Sequence, residues 1–236
     1  MDKLKYLSRI HLFRHLDREE LSRLEPVTPM QRIPKGTLIA APHEENKLLF
    51  LIKSGTVRLY RVTESGKELT VDLLGAGHLF GEIGSFTTGS GGFYAETAED
   101  SVICTIGKGQ FEQLITERPQ LALTFIEIVS SRLKEVEELL EQMAYGSVKR
   151  RLLFLLQKLS DKFGSEPGTG EEEHGWVELN VILTQQELAT MTGSIRETVA
   201  DLLNGLASEG IVKKAGQRKP LRIHGERLSA ALQCCK

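Results

Sequence analysis

Arg196, Glu197, Thr198 and Asp201, with Ser194 just ahead of them, are the residues of this chain whose types and spacing best suit chemistry on a partner. On a helix with Ile195, Val199, Leu202 and Leu206 as its apolar stripe, these five side chains point outward. Arginine can donate two parallel bonds to the edge of guanine, and glutamate can accept from the amino group of cytosine. Small hydroxyls suit phosphate oxygens. Asp201 is the exception, because a carboxylate near phosphates is repelled unless an arginine or a cytosine amino group neutralises it. The pattern is that of a surface that reads DNA.

Such a surface needs elements that hold it. Thr184 followed by Glu187 has the spacing of a capping box, and Ser194 followed by Glu197 repeats it ten residues later. Gly193 between them is the residue type that most readily ends a helix in the left-handed conformation. Leu188 and Met191 continue the helical apolar spacing in the first segment. Two short helices joined at a glycine are a helix-turn-helix, whose second helix enters the major groove. A plain helical hairpin is the competing reading. Beyond it, residues 211–223 read as a two-stranded wing. Gly216 stands at its turn, and Lys213, Lys214, Arg218, Lys219 and Arg222 form a basic cluster. Such a tip would bind the backbone and make affinity salt-dependent, although a basic cluster is equally often a solvated surface.

These residues resemble the DNA-binding domain of the CRP/FNR family of bacterial transcription regulators. The family's recognition helix carries Arg-Glu-Thr-Val, present here as Arg196, Glu197, Thr198 and Val199. The resemblance implies that Arg196 and Glu197 read bases, while Thr184, Gln185 and Thr198 touch phosphates. The arginine often found two residues after that motif is Asp201 here, which changes the expected half-site. The family likeness also implies RNA polymerase as a partner.

Composition sets bounds. The 236 residues, 40% apolar and 26% charged, suit two ordinary domains, and the net charge of −2 is not that of a general polycation. Residues 1–145 carry 17 basic and 21 acidic side chains, against 13 and 11 in residues 146–236. DNA affinity must therefore come from placement of charge. Glu171, Glu172 and Glu173 lie in a Gly/Pro-rich stretch, 164–175, that reads as a solvated loop. No apolar run reaches the roughly 18 residues of a membrane span, and no signal peptide precedes Leu4, so the expected location is the cytoplasm. Cys104 lies in an apolar run, and Cys234 and Cys235 are adjacent. That usage predicts neither a disulfide framework nor a metal or iron–sulfur site, and leaves any cofactor unknown.

The N-terminal half reads as short strands after two helical patterns at 3–10 and 18–24. Strand-like runs fall at 37–41, 48–52, 56–62, 69–74 and 101–106, with breaks at Gly36, Gly55, Gly66 and Gly75 to Gly77. This spacing predicts an antiparallel barrel or jelly roll. The segments 48–62 and 74–86 are similar to the sensor domain of the same family, a cyclic-nucleotide-binding-like fold. By that likeness the turn at Gly81, Glu82 and Ile83 meets an effector. In the family's cyclic-AMP binders an Arg-Ser pair holds the cyclic phosphate. The matching positions fall in residues 89–92, Gly-Ser-Gly-Gly, with no Lys or Arg between Lys67 and Lys108. A buried phosphodiester without a cation or an amide nest is costly, so the expectation is against cyclic nucleotides. A sub-branch resembling nitrogen-control regulators, which bind 2-oxoglutarate, shares Phe93-Tyr94 and Ser130-Ser131-Arg132. By that likeness Phe93, Arg132 and Glu137 face the effector, and the plain alternative is that the two charges are exposed helix residues. Haem would rest on His78 or His43 alone.

From about residue 120 to 145, Ile126, Val129, Leu133, Val136, Leu140 and Met143 fall at steps of three and four, the seam of a coiled coil. The helix would be about 40 Å long. A homodimer through this seam would present two recognition helices to a palindrome. The sequence therefore predicts an α+β chain in three parts: an effector-sensing antiparallel β-roll over 1–117, a dimerisation helix over 118–146, and a winged helix-turn-helix over 147–236. Its predicted partners are double-stranded operator DNA, a second copy and a small-molecule effector. Two rivals remain: a cyclic-nucleotide-type module regulating a partner protein, and a cupin-like metal enzyme, for which only His78 and Glu82 have suggestive spacing.

Overall fold

The computed structural model describes residues 7–24, 28–42, 48–83, 86–165, 174–214 and 219–234. It forms two compact units, Met1–Val136 and Glu137–Lys236.

In the first unit, a short helix α1 (Arg18–Leu24) precedes nine strands: β1 (Met30–Ile33), β2 (Leu38–Ala40), β3 (Leu48–Ser54), β4 (Val57–Val62), β5 (Glu68–Leu74), β6 (Leu79–Ile83), β7 (Phe86–Thr87), β8 (Tyr94–Thr97) and β9 (Ser101–Gly107). They make two antiparallel sheets, ordered β1-β9-β3-β6-β7 and β2-β8-β4-β5. The run Leu48 to Ile52 is apolar at every position because its sheet is covered on both faces. Phe50 and Ile52 join Leu59, Leu74, Phe80 and Ala95 in one core. Leu49 and Leu51 join Ile10, Phe13, Leu21, Phe111 and Phe125 in another. Cys104 is buried there, its Sγ donating to the Thr28 carbonyl at 3.4 Å.

The antiparallel roll agrees with the sequence expectation, but four strands escaped it. β1 has only four residues and sets two adjacent polar ones, Gln31 and Arg32, between Met30 and Ile33, β6 has Gly81 at its centre, and β7 and β8 are very short. The helical pattern at 18–24 is α1; the first half of the one at 3–10 lies outside the described residues. His43 and Cys235 lie outside them as well.

Two helices follow the roll, α2 (Lys108–Glu117) and α3 (Pro119–Tyr145). Proline at the first position of α3 lacks only an amide that a helix start leaves unpaired. Ile126, Leu133, Val136, Leu140 and Met143 are 46% to 63% exposed in the monomer. Val129 departs from the predicted seam: it is half-buried against the core that holds Phe111 and Phe125. The seam stripe and the roll-facing stripe of α3 meet there, so a residue read for one serves the other.

The second unit contains the end of α3, then α4 (Val148–Phe163), β10 (Gly164–Ser165), β11 (Trp176–Leu179), α5 (Gln185–Met191), α6 (Arg196–Ser208), β12 (Val212–Lys214), β13 (Leu221–His224) and α7 (Gly225–Cys234). Ser147 caps α4, accepting the Arg150 amide at 3.2 Å. Leu152, Leu153, Leu156, Leu188, Val199, Leu203, Leu206 and Ile223 are all buried. The predicted wing is the outer half of a four-stranded sheet, β10-β11-β13-β12. β11 escaped the sequence reading because its four residues follow directly on an acidic, Gly/Pro-rich stretch of sequence.

Candidate nucleic-acid interface and sensor loop

α5 begins as its sequence predicts. The Thr184 hydroxyl accepts the Glu187 amide at 3.1 Å, and Glu187 Oε2 accepts the Thr184 amide at 2.7 Å. The same oxygen accepts the Thr184 hydroxyl at 2.8 Å, so this threonine, expected at a phosphate, already donates within the chain. Gln185 beside it is half-buried.

The second capping box does not form. Gly193, at φ +60°, ends α5: its amide bonds the Thr190 carbonyl and the Ser194 amide bonds the Ala189 carbonyl. That pair of bonds is a Schellman motif. It places Ser194 in the stop of the first helix, and the cap of α6 moves on to Ile195, whose carbonyl accepts the Val199 amide at 3.2 Å. Ile195 has no side-chain oxygen to offer. Among the described residues, no acceptor in the chain takes the amides of Arg196, Glu197 or Thr198. Three open amides at a helix start suit an anionic oxygen.

Arg196, Glu197 and Asp201 are exposed, and Ser194 and Thr198 are half-buried. The buried stripe of α6 is Val199, Leu203 and Leu206; Leu202 is only half-buried, and Ile195 is 63% exposed. The expected stripe is therefore corrected at its first and third members.

On the wing, Lys213 stands opposite Arg222, and Arg222 opposite Glu178. The Lys213 ammonium lies 4.3 Å from the centre of the Trp176 ring. Lys213 thus has a structural contact besides its expected one to a phosphate. Lys214 ends β12, Lys219 is exposed, and Gly216 and Arg218 lie outside the described residues.

In the roll, Gly81 has φ +108°, and a Cβ there would run into the Leu48 carbonyl. Its amide donates to Ser90 Oγ at 2.7 Å, while its carbonyl accepts Thr88 Oγ1 at 3.1 Å. Glu82 is exposed, and its carboxylate accepts Thr87 Oγ1 at 2.7 Å and lies where a Cβ on Gly91 would stand. The side chain of Ile83 is fully buried in the core, so only its backbone remains for a ligand. Phe93 packs on the inner core of the roll.

A cation does reach this loop, from outside the stretch in which the sequence shows none. The Arg61 guanidinium of β4 lies 4.6 Å over the Phe93 ring and 3.2 Å from where a Cβ on Gly92 would stand. Nearby, Arg58 pairs with Glu68 at 2.7 Å and Glu96 at 3.5 Å, and lies over Tyr60. Burial works against the Arg58 charge, but the Glu68 bond and the two carboxylates outweigh it and its pKa is raised. The Tyr60 phenol is also raised, by burial first and then by Glu96 and Glu68.

Arg132 pairs with Asp72 of β5 at 3.4 Å, whereas Glu137 is exposed and begins the second unit. His78 meets the His11 ring edge-on at 4.8 Å, with its Nδ1 facing the Gly75 carbonyl at 3.2 Å. Among the described residues no three His, Cys, Asp or Glu side chains converge as a metal site would require.

Residues 30–118 match the family of cyclic nucleotide-binding domains, and residues 150–228 the family of Crp-like helix-turn-helix domains. The cyclic AMP receptor protein of Thermus thermophilus is 30% identical over 202 residues, covering 86% of this chain and 88% of that protein. The chain belongs to the CRP/FNR family of transcription regulators. A global nitrogen regulator of Synechococcus elongatus is also 30% identical, over 78% of this chain and 81% of its own. A CooA mutant from Carboxydothermus hydrogenoformans shares the fold, with a TM-score of 0.74 at 24% identity over 94% of this chain and 95% of the other. Family membership accounts for the β-roll and the DNA-binding helix-turn-helix, and makes the chain a regulator, not an enzyme. No described helix is long and apolar enough to cross a membrane.

Proposed function

We propose that the chain is a homodimeric transcription regulator that reads inverted-repeat operators with Arg196 and Glu197. The observation that carries this is the start of α6, where two exposed side chains of complementary base preference stand beside three amides that no chain group accepts. Thr198 and the basic wing around Lys213 and Lys214 would hold the backbone. The exposed stripe of α3, from Ile126 to Met143, would seat a second copy. A cytoplasmic location and contact with RNA polymerase belong to the same reading.

The roll would bind a small effector other than a cyclic nucleotide. Gly81, Glu82, Phe93 and Arg132 remain its candidate contacts, with Glu137 next along α3. The Gly81 amide already donates to Ser90 Oγ and the Glu82 carboxylate already accepts Thr87 Oγ1, so a cyclic phosphate seeking the Gly81 amide would have to displace a bond within the loop. A free carboxylate ligand, as bound by regulators of the nitrogen-control type, makes smaller demands on that loop.

Selection of random duplex DNA by the full chain tests the DNA reading. Enrichment of an inverted repeat is expected. Arg196→Ala should then reduce affinity by about 1–3 kcal/mol and relax preference at one base pair per half-site. Selection without enrichment, or Arg196→Ala with unchanged affinity and preference, would overturn it.

A further inference from the structure

We infer that Ile195 reads sequence: its side chain covers the C5-methyl group of a thymine in each half-site, beside the base pair met by Arg196. The inference rests on the DNA reading proposed for α6 and names a further residue in it.

Exposure alone would not single out Ile195, since scattered exposed apolar residues are ordinary. Its place does. Ile195 occupies the N-cap of α6, a position that favours Ser, Thr, Asp or Asn because their side chains accept an orphan amide. Here the cap bond is forgone, and the branched side chain is 63% exposed while Val199, Leu203 and Leu206 of the same helix are buried. Neither capping nor the core explains an isoleucine there. Residues that break a local rule without a compensating gain concentrate at functional sites.

The residue is also held still. On one side the Ser194 amide is tied to Ala189, and on the other the Ile195 carbonyl is tied to Val199. The backbone between is extended, at φ −99° and ψ 153°. A β-branched side chain is restricted at χ1, so it meets a partner with little entropy left to lose. The N-terminal residues of a recognition helix face base edges. An alkyl group can neither donate to a phosphate nor accept from a base, and the apolar feature of the major groove is the thymine methyl.

Deoxyuridine differs from thymine by that methyl alone. In the selected operator, each thymine of one half-site is replaced in turn by deoxyuridine, and affinity is measured for the full chain and for Ile195→Ser. The wild-type chain should lose about fourfold at one position, the loss expected for one buried methyl. Ile195→Ser should show no loss there, yet melt no lower, because serine restores the missing cap. Equal binding of the wild-type chain to thymine and deoxyuridine at every position would overturn the inference, as would an unchanged loss in Ile195→Ser. Neither result touches the Arg196 assignment, which is read separately from Arg196→Ala on the same operator.

Discussion

Arg151 Nε donates to the Thr192 carbonyl at 2.7 Å, joining the first turn of α4 to the end of α5. The same guanidinium donates through Nη1 to the Gly146 carbonyl at 2.9 Å, in the two-residue break between α3 and α4. Met143, on the last turns of α3, adds an apolar contact on the same side: its Cε lies 3.0 Å from where a Cβ on Gly193 would stand. Two side chains, Arg151 and Met143, therefore fasten the exit of the long helix to the turn between α5 and α6. Gly193 takes part twice, by its left-handed backbone and by leaving room for Met143.

Arg151→Ala should destabilise the C-terminal unit by about 1.5–3 kcal/mol. The estimate is that for a hydrogen bond from a charged donor, with two carbonyls left short of a partner. Chemical denaturation followed by the fluorescence of Trp176, the single tryptophan, reads that unit directly. Arg151→Lys should recover little, because one ammonium cannot reproduce the planar fork that reaches both carbonyls. Unfolding midpoints unchanged in Arg151→Ala would show that the two bonds carry no net stability.

Much of this arrangement was legible in the sequence, and what was not has a common cause. The Thr184–Glu187 box, the Gly193 turn and the continuous helix ending at Tyr145 depend on neighbours within a few positions, so spacing reveals them. The second box failed for a reason just as local but hidden: Ser194 could cap α6 or close α5, and closing α5 won. Gly193 in the left-handed region beside it was the one signal for that outcome. Arg61 beside Gly92 and Arg151 beside Thr192 join residues 31 and 41 positions apart, and no periodicity points to such pairs. For the same reason the residues of the glycine loop give no sign of Arg61, which a neighbouring strand brings to it.

The dimer seam makes a sharp prediction at Val136, which is 46% exposed on α3 between Leu133 and Leu140. Val136→Glu would place a carboxylate from each copy into the apolar seam, and burial of unpaired like charge is costly. The full chain should shift from dimer to monomer in light scattering, and operator binding should fall with it, because each monomer then holds a single half-site. Val129→Ala serves as the contrast. It removes packing from the roll side of α3, so it should lower the stability of the first unit and leave assembly intact. An unchanged dimer in Val136→Glu would remove this face of α3 as the interface.

Cyclic AMP and cyclic GMP should bind no tighter than about millimolar, a free energy of only about 4 kcal/mol. A cyclic phosphate needs donors, and two amides of the loop are already taken: that of Gly81 by Ser90 Oγ and that of Gly89 by Thr87 Oγ1. The Glu82 carboxylate against Gly91 adds a negative charge where the phosphate would sit, and any side chain at that glycine would collide with it. Arg61 is the counterweight, an exposed guanidinium at the Gly92 edge of the loop. One cation at an exposed edge is strongly screened by water, so it should not rescue tight binding. Ligands this weak could not shift a dimer between two states at cellular concentrations. Calorimetry with each nucleotide on the ligand-free chain decides the matter. Micromolar binding would overturn the expectation, and its loss in Arg61→Ala would then place the phosphate against the β4 arginine.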